Sequence, residues 1–404
     1  MKILYLHQYF NTPSMIGSTR SYEMGKRWVE AGHEVHVITS DKRESEKNDQ
    51  NWVTTIEDGV NVHWLPVPYS NYMSYSQRIK AFFKFAFSSG KKAIEIGGDV
   101  IFATSTPLTI ALPAIKAKKK LNIPMVFEVR DLWPEAPIQM GALKSPLSKI
   151  VARKLERHAY KNSEHIIALT PGMKNGVVSS GYPSNRVTVI PNASDLNLFS
   201  PNIDGSETRK RLGLRDRFTL SYFGTMGPAN GLNYVLSAAK ELVSKNIEDI
   251  VFVLHGDGKQ RPELEARAKN EGLTNVVFSN PMPEKTAVAE LAAASNVCMT
   301  IYDNLPVLYT CSPNKMFDSF AAGRPVLTNM PGWLESLAVD EKTGVFTNPN
   351  NPIELAEKAI WMRNNPEELR KFAKNARELA ETRFARETLS LQLLDVLTSI
   401  CNQA

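Results

Sequence analysis

Cysteine is scarce. The 404-residue chain holds three, Cys298, Cys311 and Cys401, with neither metal nor redox spacing, which excludes a disulfide scaffold and fits a reducing compartment. No run approaches the roughly 20 apolar residues of a membrane-spanning helix. Residues 1–8 turn polar too soon for a secretory leader, so a cytoplasmic chain is expected. With 22% charged and 43% hydrophobic residues, the composition also excludes a disordered chain. Several motifs are missing as well. There is no G-x-x-x-x-G-K-[ST] loop, no D-x-D pair to hold a divalent ion on a diphosphate, and no G-x-S-x-G elbow. Gly256-Asp257-Gly258 lacks the third glycine of a dinucleotide fingerprint, and His33-Glu34-Val35-His36 has i, i+3 rather than zinc-protease spacing. These absences point to chemistry on a ligand without a metal or a covalent nucleophile.

What is present is length for two cores and an uneven charge. Residues 1–200 hold 25 lysines and arginines against 17 acidic residues, whereas residues 201–404 hold 23 against 25. Between Tyr72 and Lys120 nine cations, from Arg78 to Lys120, face only Glu95 and Asp99. Such a surface fits an anionic partner, or simply a solvated face that improves solubility.

Short apolar runs alternate with helical periodicity through both halves. Strands are predicted at 3–10, 34–39, 60–66, 100–104, 125–129, 166–169 and 187–190, with helices at 20–31, 77–96, 108–121 and 147–160. A polar stretch from Pro191 to Gly205 interrupts the pattern. It resumes with strands at 218–223, 249–255, 275–278, 297–301, 325–328 and 344–346 and helices at 232–243, 262–271, 283–294 and 313–322. Residues 352–400 read as helix. The expectation is two doubly wound α/β domains, 1–198 and 199–380, with a C-terminal helix in 381–404 packing back on the first. Open sheets of this kind bind ligands at the carboxyl ends of their strands.

The segment from Ser312 to Leu327, SPNKMFDSFAAGRPVL, is the most informative. Ser312 suits an N-cap, Pro313 the first helical position, and Gly323 the position past the end. The unpaired N–H groups at the N-terminus of this helix, where Pro313 and Asn314 lie, and its positive dipole end would seat a phosphate. Lys315 would add charge in that first turn, and Asp318, one turn on, could accept ribose hydroxyls. A plain capped helix with a surface lysine is the alternative.

These residues and several others resemble the retaining glycosyltransferases of family 4, which have the GT-B fold of two facing Rossmann-like domains. Val189–Asp195 with Phe199-Ser200-Pro201 is similar to the family's interdomain signature. Tyr222-Phe223-Gly224 with Asn230-Gly231-Leu232 is similar to its first C-domain turn, His255-Gly256-Asp257-Gly258 to its second, and Gly17-Ser18-Thr19-Arg20 to its flexible N-domain loop. Within the family, Phe127–Glu135 (FEVRDLWPE) resembles the branch that includes N-acetylfucosaminyl transferases of bacterial O-antigen and capsule assembly.

Departures accompany the matches. The family's paired glutamates fall on Thr310 and Asp318, its diphosphate-clamping cations near Thr225 and Asn230, and its N-domain histidine on Arg130. The resemblance implies a nucleoside diphosphate donor, UDP-linked, on the C-terminal domain, with ribose at Asp318, base near His255, Gly256 and Gly258, and diphosphate at Pro313, Asn314 and Lys315. Gly17, Arg130 and Asp131 are implied at the reacting sugar, and no cofactor or metal is required. Asp131 beside Arg130 is equally readable as an ion pair ordering its loop. A polyprenyl-diphosphate-linked glycan is the implied acceptor. Residues 72–120, rich in Phe and Lys, would dock the chain peripherally on the inner face of the plasma membrane, unless that helix is a core helix with snorkelling lysines. Rival readings are a nucleotide-sugar epimerase and a catalytically degenerate assembly subunit docked on the membrane. No RNA-binding signature supports a nucleic-acid partner.

Overall fold

A computed structural model describes residues 1–15, 17–41, 52–69, 73–281 and 285–403. They divide into two compact units. One comprises Met1–Pro191, Thr310–Ser312 and Glu387–Ala404, the other Asn192–Tyr309 and Pro313–Arg386. The first division thus falls at Pro191/Asn192, before residue 198.

Among the described residues the first unit carries an eight-stranded sheet: β1 (Lys2–Leu6), β2 (Glu34–Asp41), β3 (Val53–Glu57), β4 (Val60–Pro66), β5 (Val100–Thr104), β6 (Met125–Val129), β7 (His165–Ala168) and β8 (Val187–Val189). Their order is β3-β4-β2-β1-β5-β6-β7-β8, parallel throughout except for β3 against β4. Continuous apolar runs such as VIFAT and MVFEV are buried at every position, because helices cover both faces of the sheet. Helices Tyr75–Ile96, Ala111–Leu121 and Pro146–Lys161 share one core cluster. On the other side Trp28 of helix Arg20–Glu30 packs with Tyr5 and Phe102 at ring-centroid distances of 5.6 and 5.7 Å. The Trp28 indole N–H donates to Ser390 O (3.2 Å) of helix Arg386–Gln403.

The second unit's sheet has six strands: β9 (Phe218–Phe223), β10 (Ile250–His255), β11 (Val276–Ser279), β12 (Val297–Thr300), β13 (Val326–Thr328) and β14 (Gly344–Phe346). Their order β11-β10-β9-β12-β13-β14 is that of a Rossmann sheet. Both sheets reverse direction beside their first strand, at β1/β5 and β9/β12, which is where ligand crevices form.

Several predicted elements change in detail. Strand 3–10 ends at Leu6, and segment 108–121 is a 3-10 turn followed by the helix Ala111–Leu121. The region 352–400 is three helices, Pro352–Asn364, Pro366–Arg383 and Arg386–Gln403, broken before Pro366 and near Phe384. The helix predicted from Pro283 is described from Lys285, and Pro283, like Tyr72, lies outside the described residues. The helix expected to begin at Pro313 begins at Asn314, with Pro313 rather than Ser312 as its N-cap. Its far end is as predicted: Gly323 N donates to Phe320 O and Arg324 N to Ser319 O, both 2.9 Å, with Gly323 at φ +59°.

Candidate active site

At the β9/β12 reversal the loop leaving β9 lies directly against the loop leaving β10. Gly224 N donates to His255 O (3.0 Å) and Met226 N to Asp257 O (2.8 Å). That closeness explains Gly256: with φ +142°, a Cβ there would stand 1.9 Å from Gly224 O. Gly258 has the same relation to Met226 O, at 2.6 Å. His255 is turned into the sheet, where Nδ1 meets Ser279 Oγ at 3.0 Å. Burial, with Arg211 and Arg261 nearby, lowers its affinity for a proton.

Above these loops lies Lys315, in the first turn of helix Asn314–Ala321, whose N-terminus no side chain caps. Its Nζ is 3.8 Å from the Tyr222 ring centroid and 5.2 Å from that of Tyr302. Aromatic faces attract an ammonium by about 0.5–2 kcal/mol. Among the described residues no carboxylate pairs with it, and burial alone pushes its pKa from 10.5 down to about 7. Gly224 leaves it room: a Cβ there would come within 3.2 Å of Nζ.

The aromatic seat is rigid. Tyr222 is fully buried, and its hydroxyl donates to Thr225 O at 2.6 Å. Asn230 also hydrogen-bonds that hydroxyl, and its Oδ1 accepts from Gly227 N at 3.2 Å. Tyr302 is clamped by Asn329, which accepts from Tyr302 N (3.0 Å) and donates to Tyr302 O (2.8 Å). Thr225 itself is exposed on the loop, next to Gly224. Asp318 turns toward the chain entering this unit, where it hydrogen-bonds Ser194. Burial pushes its pKa up to about 6 against the pull of Lys285 and Arg386. Lys315 and Asp318 therefore make no ion pair, despite their spacing.

In the first unit the residues after β1, β5 and β6 converge. Arg130 Nη1 lies 3.3 Å from His7 Nε2, and its Nη2 donates to Ser18 Oγ at 3.4 Å. A guanidinium can only donate, so His7 Nε2 accepts and its proton is on Nδ1, 2.9 Å from Ser21 Oγ. Gly17, at φ +139°, packs on Asn11: a Cβ would meet Nδ2 at 2.7 Å. The Asp131 carboxylate accepts from Thr106 Oγ1 at 3.0 Å and makes no salt bridge with Arg130, so an ion pair is not what orders this loop. Burial raises its pKa. Beneath them Glu128, wholly buried, accepts from Arg20 (2.8 and 3.1 Å) and Thr104 (2.6 Å). Arg20 also donates to Pro191 O and Ile190 O.

The comparisons with known proteins are consistent over the whole chain. A family profile described as "Glycosyl transferase 4-like domain" matches residues 17–193, and one described as "Glycosyl transferases group 1" matches residues 204–379. The chain belongs to the family 4 glycosyltransferases. Alpha-D-kanosaminyltransferase of Streptomyces kanamyceticus is 24% identical over 62% of this chain and 64% of its own length, so the alignment spans under two thirds of that relative. A putative colanic acid biosynthesis glycosyl transferase, WcaI, of Escherichia coli K12 is 26% identical over 73% of this chain and 75% of its own. An E. coli UDP-Gal:alpha-D-GlcNAc-diphosphoundecaprenol alpha-1,3-galactosyltransferase is 28% identical over 46% and 47%. Among solved structures, sucrose-phosphate synthase from Thermosynechococcus elongatus superposes with TM-score 0.81 at 18% identity, covering 100% of both chains. HepE of Anabaena, solved with UDP and glucose, gives 0.72 at 19% identity, covering 99% of this chain and 100% of its own. The two-domain GT-B fold is thereby shown, and the relatives include bacterial glycosyltransferases of polysaccharide biosynthesis.

In this glycosyltransferase the Asn230 side chain helps lock Tyr222. Thr225 and Thr310 contribute backbone carbonyls, which accept from the Tyr222 hydroxyl and from Thr170 Oγ1 at 2.6 and 2.7 Å. Sequence reasoning missed the seat formed by Tyr222 and Tyr302, and it missed His7. The last was within reach, since it directly follows β1 at the reversal point of its sheet.

Proposed function

We propose that this glycosyltransferase moves a sugar, with retention of configuration, from a UDP-linked donor to a polyprenyl-diphosphate-linked glycan in bacterial O-antigen or capsule synthesis. The donor sugar in this reading is an N-acetylated deoxyamino sugar such as N-acetylfucosamine. The observation that carries it is Lys315: a cation at a helix N-terminus, seated on two aromatic rings and paired with no carboxylate among the described residues. A diphosphate supplies the missing negative charge, so no metal is needed there. As the bond from the anomeric carbon to the β-phosphate oxygen breaks, charge develops on that oxygen. Lys315 and the amides of the first turn stabilise it, an effect worth about 2.7–4 kcal/mol for a single well-placed donor. The acceptor hydroxyl forms the new bond on the same face and passes its proton to the departing phosphate oxygen. Asp318 is assigned to the ribose, His255, Gly256 and Gly258 to the base, and Arg130, Asp131 and Gly17 to the sugar.

The acceptor reading draws support from helix Tyr75–Ile96. One face joins the core through Ala81, Phe85 and Ala93, while Lys80, Phe83, Lys84, Phe87 and Lys91 form an exposed stripe, with Phe87 71% exposed. No helix among the described residues is long and apolar enough to cross a membrane. A peripheral position on the inner membrane face is part of this proposal.

A panel of UDP-sugars, chelator and a short-chain polyprenyl-diphosphate acceptor tests it. UDP should be released only when acceptor is present, and NMR of the product should show the donor's anomeric configuration. Turnover of donor without acceptor, as an epimerase would give, or an inverted product would refute it.

A further inference from the structure

In the first unit three large apolar side chains stand open to solvent within one helical turn: Leu147 (70% exposed), Ile150 (53%) and Val151 (57%). They begin helix Pro146–Lys161, and Met140, 45% exposed, precedes them. Positions 147, 150, 151, 154 and 158 lie along one stripe of this helix. The helix is held to the core through Leu155, Ala159 and Tyr160. Exposed hydrophobes scattered singly need no explanation, but three together at a helix end do.

The charge beside them identifies their partner. Lys144, Arg153, Lys154, Arg157 and Lys161 are exposed around and beyond the apolar turn, and Lys149 is half-buried. The helix carries one acid, Glu156, half-buried and hydrogen-bonded to Tyr160. Arg153 shares Glu135 of the neighbouring segment at 3.4 Å. An apolar turn flanked by cations fits the interface of an anionic bilayer, with hydrophobes below the headgroups and cations among their phosphates. A second copy seated on the same face would bring these cations together, which opposes self-association.

We infer that Leu147, Ile150 and Val151 insert into the anionic membrane surface. This rests on the reading of a lipid-linked acceptor and adds to it a second, apolar anchor. Helix Tyr75–Ile96 and helix Pro146–Lys161 lie on the same face of the sheet, with helix Ala111–Leu121 between them. The aromatic-basic stripe and the apolar turn thus belong to one layer.

Co-sedimentation with phosphatidylcholine vesicles containing about 30% phosphatidylglycerol tests the inference. The full chain should bind at about 0.1 M salt and keep part of its binding at about 0.5 M, where charge is screened. Leu147→Gln/Ile150→Gln/Val151→Gln should weaken binding about tenfold and abolish the part that survives salt. These positions are exposed, so UDP-induced thermal stabilisation should be unchanged, which separates this outcome from failure to fold. In parallel, Ile150→Cys carrying an environment-sensitive dye should shift to an apolar spectrum on vesicles, relative to the unsubstituted chain treated identically. If the chain binds vesicles but the triple variant binds equally and the dye does not shift, the inserted turn is refuted while the basic surface stands. If the chain does not bind vesicles at all, both readings fall. Should the triple variant convert a dimer into a monomer at unchanged vesicle binding, the face belongs to a second copy and the inference is overturned.

Discussion

Raising the pH from about 6 to about 9 should weaken UDP binding through Lys315. In the free protein burial holds its pKa near 7, far below the ordinary 10.5. A charge-assisted contact with a diphosphate is worth about 1.5–3 kcal/mol, and one pKa unit corresponds to 1.36 kcal/mol. Bound UDP should therefore raise the Lys315 pKa by about one to two units, and binding should take up a proton whenever the pH lies between the free and bound values. Affinity should be level below pH 7 and fall about ten- to a hundredfold toward pH 9. Titration calorimetry in buffers of different ionisation enthalpy reads both the affinity and the proton uptake. Stability of the free protein runs the other way. Between pH 7 and 10.5 the unfolded chain holds a proton on Lys315 that the folded one has lost, so this group's contribution to stability rises with pH. Lys315→Met should consequently stabilise the free protein near pH 6, by about 1–3 kcal/mol, while removing the pH dependence and most of the affinity. If Lys315→Met binds UDP with the same affinity and pH profile, Lys315 does not hold the diphosphate.

Other expectations follow from the same geometry. Gly224→Ala places a methyl within 3.2 Å of Lys315 Nζ at φ +141°, and should cost about 1–3 kcal/mol of stability, measured by denaturant unfolding, and most UDP affinity, measured by calorimetry. Glu128→Gln leaves Arg20 buried without its counter-charge and should destabilise by about 3–5 kcal/mol in denaturant unfolding. Burial alone would raise the Glu128 pKa, but Arg20, Arg130 and Thr104 outweigh it and hold it low, so the stability it supplies should fade in acid melts as pH drops below about 4.5. Asp131→Asn keeps the Thr106 hydrogen bond and should leave the melting temperature within about 2 °C while lowering turnover.

The parallel sheets were legible because their strands are continuous apolar runs: 60–66, 100–104, 125–129, 218–223 and 344–346 coincide with the observed elements. β3 was not, because Val53–Glu57 is an edge strand with mostly open side chains and has no apolar run to betray it. Short helices such as Glu135–Gln139 and Trp333–Val339 escaped too, being too brief for periodicity and formed by tertiary packing. Lys315 was visible through capping chemistry, since Pro313 and Gly323 bracket its helix. Its seat was not: Tyr222 and Tyr302 come from the ends of β9 and the loop after β12, and only the sheet order brings them together. The exposure of Leu147, Ile150 and Val151 was equally hidden, because apolar residues in a helix read as core until the neighbours are known.

The proposed function requires the second unit to hold a nucleoside diphosphate at Lys315 without a metal. Thermal melting with UDP, GDP, CMP and NAD, each in chelator, tests it most directly. At a hundredfold excess over its Kd a ligand adds about 2.7 kcal/mol, which moves a domain's melting by several degrees. UDP should stabilise the protein selectively, and Lys315→Met should lose the shift. If none of the four nucleotides moves the melting, or UDP acts equally on Lys315→Met, the claim is contradicted.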